Sequence, residues 1–303
     1  METYIVQAAE AGKRLDRFVA EKQPDLTRVY ILKALRLKKI RRNGKRAEGS
    51  DRLLAGDRVD VWLPAPAGPR PVRTDGFAVV YEDEHILIAD KKPGVLCEDR
   101  TGREPNTLEA QVNAYLAPKG ERARLCHRID YNTAGLVVLA KDAASLAAME
   151  AAIRERRVEK RYLCVVCGDV RPAQGTLAGY LFKDAKQHRV YVTDAPVKGS
   201  KTAVTRYRVL DRRGGLSLVG CELVTGRTHQ IRAQMAHAGW PLLGDEKCGS
   251  KSANRPYGER RQLLAAYCIR FAFPPDTPAV GYLAGRTFSA PRVGFRETYF
   301  GKK

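Results

Sequence analysis

Three short clusters hold residue types able to do chemistry. The first is His127-Arg-Ile-Asp-Tyr-Asn-Thr-Ala-Gly135, followed at once by the apolar run Leu136–Ala140. A carboxylate at the mouth of a buried strand is well placed for work, because loops at strand ends are where rigid scaffolds present reactive groups. The same Asp130, Asn132 and Gly135 pattern is also ordinary turn chemistry. The second cluster is Lys160-Arg-Tyr162, where a basic stretch enters a strand. Strand alternation puts Lys160 and Tyr162 on one face. There the tyrosine ring can stack on a base or sit half-buried in the core. The third is Thr225-Gly-Arg-Thr-His-Gln-Ile-Arg232. Gly226 and Thr228 fit a strand-to-helix turn with Thr228 near the N-cap, and backbone N–H groups at that start, beside Arg227, can hold a phosphate. Arg232 shares a helical face with His229, and a surface ion pair is its plainer reading.

Other chemistries lack their motifs. Cys164 and Cys167 spell C-x-x-C, but no second pair follows at zinc spacing, and positions i and i+3 of a strand point to opposite faces. His229 and His237 lie two helical turns apart without a third ligand in reach by sequence. No metal site is expected. The phosphate-loop and dinucleotide glycine motifs are absent, so no cofactor is expected either.

The elements that must position these clusters fall into two groups. Residues 12–20 place Leu15, Phe18 and Val19 on one helical face, and Pro24-Asp25 break that helix. Thr27 then suits the N-cap of a second helix to about Leu37, with Leu32 and Leu35 plus Val29 or Ile31 as its stripe. Asn43-Gly44 marks a hairpin, and residues 58–63 alternate like a strand. Residues 27–46 contain nine Lys or Arg and no acid. Lys33, Arg36, Lys38, Lys39, Arg41, Arg42 and Lys45 belong to this run, on one small unit, and favour a phosphate-binding surface over a merely solvated face.

Four prolines in the first eight positions of the segment from Pro64 mark the domain boundary. We expect a small domain over 1–64, a linker over 65–75 and a larger domain over 76–303. In the larger part, strands are expected near 77–81, 85–90, 136–140, 161–166, 202–209 and 216–223. Helices are expected over 107–116, after Asp142 with Leu146, Met149 and Ile153 on one face, and over 228–238. They interleave without a regular βαβ period, so the fold class is α+β with a mixed, mainly antiparallel sheet.

The 303 residues include 54 Lys or Arg against 34 Asp or Glu, a formal charge of +20. That excess favours a polyanionic partner, nucleic acid or an anionic membrane. The N-terminus lacks a basic region followed by an apolar one, and no stretch reaches the ~18 apolar residues of a membrane span. Seven scattered cysteines are an odd number without disulfide-scaffold density. The expected setting is therefore reducing and cytoplasmic, with nucleic acid as the partner. No coiled-coil or sticky helix is evident, which points to a monomer.

In combination and order the three clusters resemble the RluA-type pseudouridine synthases, whose H-R-L-D-x-x-T-S-G motif holds the catalytic aspartate. Ile129 and Ala134 depart from that pattern without touching the carboxylate. Lys92-Pro-Gly-Val95 resembles the family's K-P-x-G turn, and Gly239–Asp245 its G-x-P-x-x-G-D segment. The resemblance spans about residues 77–285, and the basic N-terminal unit resembles the S-four-like RNA-binding domain that often precedes this catalytic domain. It implies isomerisation of uridine in RNA to pseudouridine, without a cofactor, on large-subunit ribosomal RNA or on tRNA. Asp130 would be the essential carboxylate, as nucleophile at the anomeric carbon or as base at the neighbouring ribose carbon. Arg232 would pair with it, and Tyr162 would stack on the target base and assist the final deprotonation. Arg128 would fill the gap left by a flipped nucleotide. Arg227, Thr228 and His229 would meet RNA, and His127 would support the loop. A non-catalytic ribosomal RNA-binding protein is the alternative from another class. A DNA- or membrane-binding protein would rest on charge alone.

Overall fold

The computed structural model describes residues 2–23, 26, 28–62, 72–99, 101, 104–184, 189–249 and 251–301. The chain divides into two compact units, 1–71 and 72–303. Pro24, Asp25, Thr27 and most of the proline-rich segment lie outside the described residues.

In the first unit β1 (Glu2–Ile5), α1 (Leu15–Lys22), α2 (Arg28–Arg36), β2 (Ile40–Arg42), β3 (Lys45–Arg46) and β4 (Arg58–Val61) follow in turn. The sheet order is β1-β4-β2-β3, with antiparallel neighbours. Asn43 and Gly44 both take positive φ, +50° and +75°, the backbone a two-residue hairpin needs to match strand twist. Leu15, Phe18 and Val19 of α1 are fully buried, as their spacing predicts. The buried stripe of α2 is Ile31, Ala34 and Leu35, and Leu32 is exposed. One residue is a 100° step on a helix, so a stripe centred on Ile31 and Leu35 turns Leu32 outward.

The second unit contains β5 (Phe77–Glu82), β6 (Ile86–Lys91), α3 (Leu108–Leu116), β7 (Arg124–Leu125), β8 (Ala134–Ala140), α4 (Ala143–Arg154) and β9 (Val158–Cys167). Then come β10 (Gln174–Asp184), β11 (Arg189–Thr193), β12 (Lys201–Arg213), β13 (Leu216–Leu223), α5 (Gln230–His237), β14 (Leu264–Phe271) and β15 (Thr287–Ser289). They build one eleven-stranded sheet in the order β11-β10-β12-β13-β9-β14-β8-β6-β5, with β15 added to β14 and β7 to β8. Among the described pairs only β14 with β8 is parallel.

The β8–β6 part of this sheet, towards its β5 end, is covered on both faces. Leu87, Val137 and Leu139 pack with Leu108, Val112 and Leu116 of α3. Ile86, Ile88, Leu136 and Val138 pack with Leu146 and Met149 of α4. A strand buried on both sides reads as a continuous apolar run, which is why 136–140 shows no alternation. Both helices start where the sequence marks them. Thr107 Oγ1 accepts the Ala110 N–H at 3.2 Å, and Asp142 Oδ1 accepts that of Ser145 at 2.8 Å. Cys164 and Cys167 enter different core clusters, as i, i+3 positions of a strand must.

Two approaches near the centre require glycine. Gly135 opens β8 at φ +109°, and a Cβ there would meet the Ala266 carbonyl oxygen at 2.2 Å. Gly244, at φ +81°, would place a Cβ 2.0 Å from the Arg261 carbonyl oxygen. Gly135 ends the 127–135 cluster, and Gly244 precedes Asp245.

Candidate active site

Asp130 sits in the connection from β7 to β8, and neighbours pin that connection from several directions. Lys91, fully buried at the end of β6, donates to the carbonyls of Lys92 (3.0 Å), Val95 (2.8 Å) and Tyr131 (3.1 Å). Gly94 N–H donates to the same Tyr131 carbonyl at 2.9 Å. The Cys97 thiol donates to the Ile129 carbonyl and accepts the Ile129 N–H, both at 3.4 Å. His127 Nε2 accepts the Val138 N–H at 3.1 Å. Burial, with the Lys160 charge nearby, pushes the His127 ring down to about 3, so it stays neutral and Nδ1 keeps its proton. Three groups thus close the loop on a ring, a thiol and an ammonium.

The carboxylate is set between two donors, one at the N-cap of α5 and one in its first turn. His229 Nδ1 lies 2.7 Å from Asp130 Oδ2, and Arg232 Nη1 donates to the same oxygen at 3.0 Å. An ionised carboxylate only accepts, so Nδ1 carries the proton in that contact. Arg232 is itself buried and fixed from behind. Its Nε and Nη2 form a two-point pair with Asp245 at 2.7 and 2.9 Å. Asp245 also accepts the N–H groups of Lys247 and Cys248, each at 3.0 Å. Burial alone would raise the Asp130 pKa, but His229 and Arg232 outweigh it and hold the group below the usual carboxylate range. Burial would weaken the Arg232 cation, and Asp245 restores it and drives its pKa up. The site is therefore a row of alternating charge, Asp130, Arg232, Asp245, with only its first carboxylate open to a substrate.

Tyr162 is buried on β9 beside Ile231, Leu264 and Ala266. Its hydroxyl has no hydrogen-bond partner among the described residues. Burial first, then the Asp130 charge, pushes its pKa up, so it remains a neutral phenol. Asp130, Tyr162, Lys160 and the 224–232 segment line one cleft of about 950 Å3. Clefts of that size accept a whole nucleotide.

The turn into α5 differs from the expected one. The helix begins at Gln230, and His229, in the left-handed region at φ +56°, occupies the N-cap position. Gln230 closes the turn in place of Thr228. Its Oε1 accepts the Arg227 N–H (3.0 Å) and the Thr225 hydroxyl (2.8 Å), and its Nε2 donates to the Val204 carbonyl (3.0 Å) and Thr205 Oγ1 (2.9 Å). Thr228 is exposed, and Arg227, also exposed, donates through Nε to the Thr202 carbonyl at 3.2 Å. Arg128 stands at the rim on Glu98, Nη1 to Oε1 at 2.5 Å. In the first unit Lys33, Arg36, Lys38, Lys39, Arg41 and Lys45 are exposed, with Arg41 over the Trp62 ring. Arg42 is the exception: it pairs at 2.6 Å with the buried Asp57 and is committed to the fold.

The structure thus brings Asp130, Tyr162 and Arg232 together, and places His229, expected to meet RNA, on the Asp130 carboxylate as well as in the lining of the cleft. Lys91, Cys97, Gln230 and Asp245 were given no role from the sequence. Asp245 ends the Gly239–Asp245 segment already singled out, so its motif was visible and its partner was not. The buried lysine of the Lys-Lys-Pro-Gly turn is Lys91, the last residue of a strand.

A basic cleft around one ionised aspartate, built on a mixed sheet, is suited to a polyanionic substrate, and comparison with known proteins gives the family. Residues 85–237 match the family described as RNA pseudouridylate synthase, and residues 13–59 match the S4 domain. The "Ribosomal large subunit pseudouridine synthase C" of Escherichia coli (strain K12) is 30% identical over 283 residues, 89% of this chain and 88% of that protein. The protein of that name from Vibrio cholerae is 31% identical over 278 residues, 87% and 86% of the two chains. The solved "Human RNA Pseudouridylate Synthase Domain Containing 1" shares the fold, with a TM-score of 0.60 at 23% identity over 74% of this chain and 86% of that one. This chain belongs to the RNA pseudouridylate synthase family. It is an RNA pseudouridine synthase with an S4 domain ahead of its catalytic unit.

Proposed function

We propose that the protein converts uridines of large-subunit ribosomal RNA to pseudouridine, with Asp130 as the essential carboxylate. The observation that supports this most is the Asp130 carboxylate itself: kept ionised by His229 and Arg232, and facing a nucleotide-sized cleft beside Tyr162. The names of the relatives point to the ribosomal RNA, and tRNA is the runner-up.

The reaction breaks the bond from ribose C1′ to N1 of uracil, turns the base, and joins C1′ to C5. The hydrogen of C5 leaves as a proton. An ionised Asp130 serves either as nucleophile at C1′ or as base at C2′, and in both cases the fixed Arg232 cation keeps its proton off. The target uridine must first leave its stack, at a cost of a few kcal/mol. Arg128, held among the described residues by a contact to Glu98 at the surface, can leave it and fill the gap. Tyr162 stacks on the base. Held as a neutral phenol, it supports the ring and hands on the C5 proton only if another group accepts its own. Arg227 and Thr228 take backbone phosphate, and the exposed cations of the S4 domain add contacts away from the chemistry. In this reading the protein works as a monomer in the cytoplasm. Among the described residues no helix is long and apolar enough to cross a membrane.

The test is tritium release from RNA labelled at C5 of uridine, with large-subunit rRNA, small-subunit rRNA and tRNA supplied separately. Release is expected from the large-subunit pool. Release from tRNA alone would replace the substrate, and release from none with tight binding retained would favour a binding protein.

A further inference from the structure

We infer that Arg154, the last residue of α4, and Arg156, in the turn from α4 to β9, form a second phosphate-binding wall of the cleft, contributed by different elements from the Arg227 side. They would hold the RNA backbone flanking the target uridine. This rests on the reading of the cleft as an RNA site and adds residues to it.

Four observations support it. Both arginines line the cleft that contains Asp130, and both are exposed. Neither has an ion pair or hydrogen bond through its guanidinium among the described residues, whereas Arg128, Arg206 and Arg227 on the same cleft are each partnered. Arg157, the next residue, does not line the cleft and pairs with Glu155 at 3.2 Å. The turn therefore separates a neutralised arginine from two unneutralised ones. Finally, Arg156 adopts φ +63° just past the helix end, with its N–H on the Ile153 carbonyl at 3.1 Å. Glycine fills that position most readily, yet the sequence places a guanidinium there.

The geometry explains why two walls are needed. A nucleotide drawn into a cleft brings a phosphate on each side. The 224–232 segment approaches from β13 and α5, and the Arg154–Arg156 turn approaches from α4 and leads into Lys160 and Tyr162. A free guanidinium pair at the second position gives the second phosphate a partner without first breaking a salt bridge. Guanidinium suits this use because its planar donors match phosphate oxygens in pairs.

The experiment compares the wild-type protein with Arg154→Gln/Arg156→Gln and with Arg157→Gln. A fluorescein-labelled, uridine-containing RNA stem-loop is bound to each by anisotropy from low to high salt, and tritium release gives KM and kcat on the large-subunit transcript. Thermal melting checks folding. The double variant is expected to bind about tenfold more weakly, with a log affinity against log salt slope smaller by ~1.4 for two phosphates. Its loss should fall in KM rather than kcat, and Arg157→Gln should match wild type. Unchanged affinity and slope in a folded double variant would overturn the inference, as would an equal loss from Arg157→Gln. If no RNA pool releases tritium with wild type, the proposed reaction fails, but the binding arm still decides the role of the two arginines.

Discussion

At the scale of single residues, the site is one carboxylate whose charge state is set by its neighbours. His229 and Arg232 lower the pKa of Asp130, so its ionised form persists as pH falls to the ordinary carboxylate value near 4 and is lost only below it. Arg232→Lys would keep a charge but lose the two-point grip of Asp245. We expect the acid limb of kcat/KM to move up in pH and the plateau to drop about tenfold, roughly 1.4 kcal/mol of transition-state binding. An unmoved limb would show that Arg232 does not act through Asp130. Lys91 gives a stability prediction of opposite origin. Burial lowers its pKa to about 8, against a lysine value of 10.5. Between those values the unfolded chain binds more protons than the folded one, so stability rises with pH. Wild type should therefore gain on Lys91→Met as pH climbs from 8 to 10.5, measured by urea denaturation. A constant difference would mean that the ammonium is not desolvated. Much of this scale was legible: Asp130, Tyr162 and Arg232 stand in recognisable strings. The pairing partners were not, because Asp245 and Lys91 meet the site only through the fold. The contact of His229 with Asp130 is likewise invisible in sequence, because a helical face gives no sign of what lies across from it.

At the scale of elements, the site depends on how closely β8, β14 and β9 pass one another. Asp130 enters β8, Tyr162 lies on β9, and β14 separates the two strands, pairing Ala266 with both Gly135 and Tyr162. Gly135→Ala would drive a methyl into the Ala266 carbonyl and force a left-handed backbone on alanine. We expect a loss of about 3 kcal/mol in urea denaturation, with activity falling alongside. A stable, active variant would show that the two strands can separate without moving Asp130. Strand and helix positions were read well wherever caps and burial agreed, as at Thr107 and Asp142. The reading erred in α2, where two overlapping stripes fit the sequence and only packing chose between them. It also erred at the start of α5, where the helix begins two residues after Thr228, with His229 at the N-cap and the buried Gln230 side chain closing the turn. Neither outcome is visible in a local pattern.

At the scale of the whole molecule, charge and division of labour are the main features. The net charge of +20 is not spread evenly, since nine of the cations fall within residues 27–46. Reversing Lys38, Lys39 and Arg41 to glutamate should weaken RNA binding and reduce the salt slope by ~2 to 3, with the melting temperature kept within a few degrees. Arg42 is left out because it neutralises Asp57 inside the unit, and a glutamate there would set two carboxylates together. Unchanged affinity would remove this unit from the RNA interface.

The most direct measurement is tritium release from C5-labelled large-subunit rRNA by wild type and by Asp130→Asn, paired with RNA binding by both. Asparagine matches aspartate in size but can neither attack C1′ nor take a proton. Wild type is expected to release tritium and the variant none above background, with affinities within about threefold of each other, a difference of ~0.65 kcal/mol. Release by a folded Asp130→Asn at a rate near wild type would contradict the role of Asp130, because the chemistry would then belong to another group.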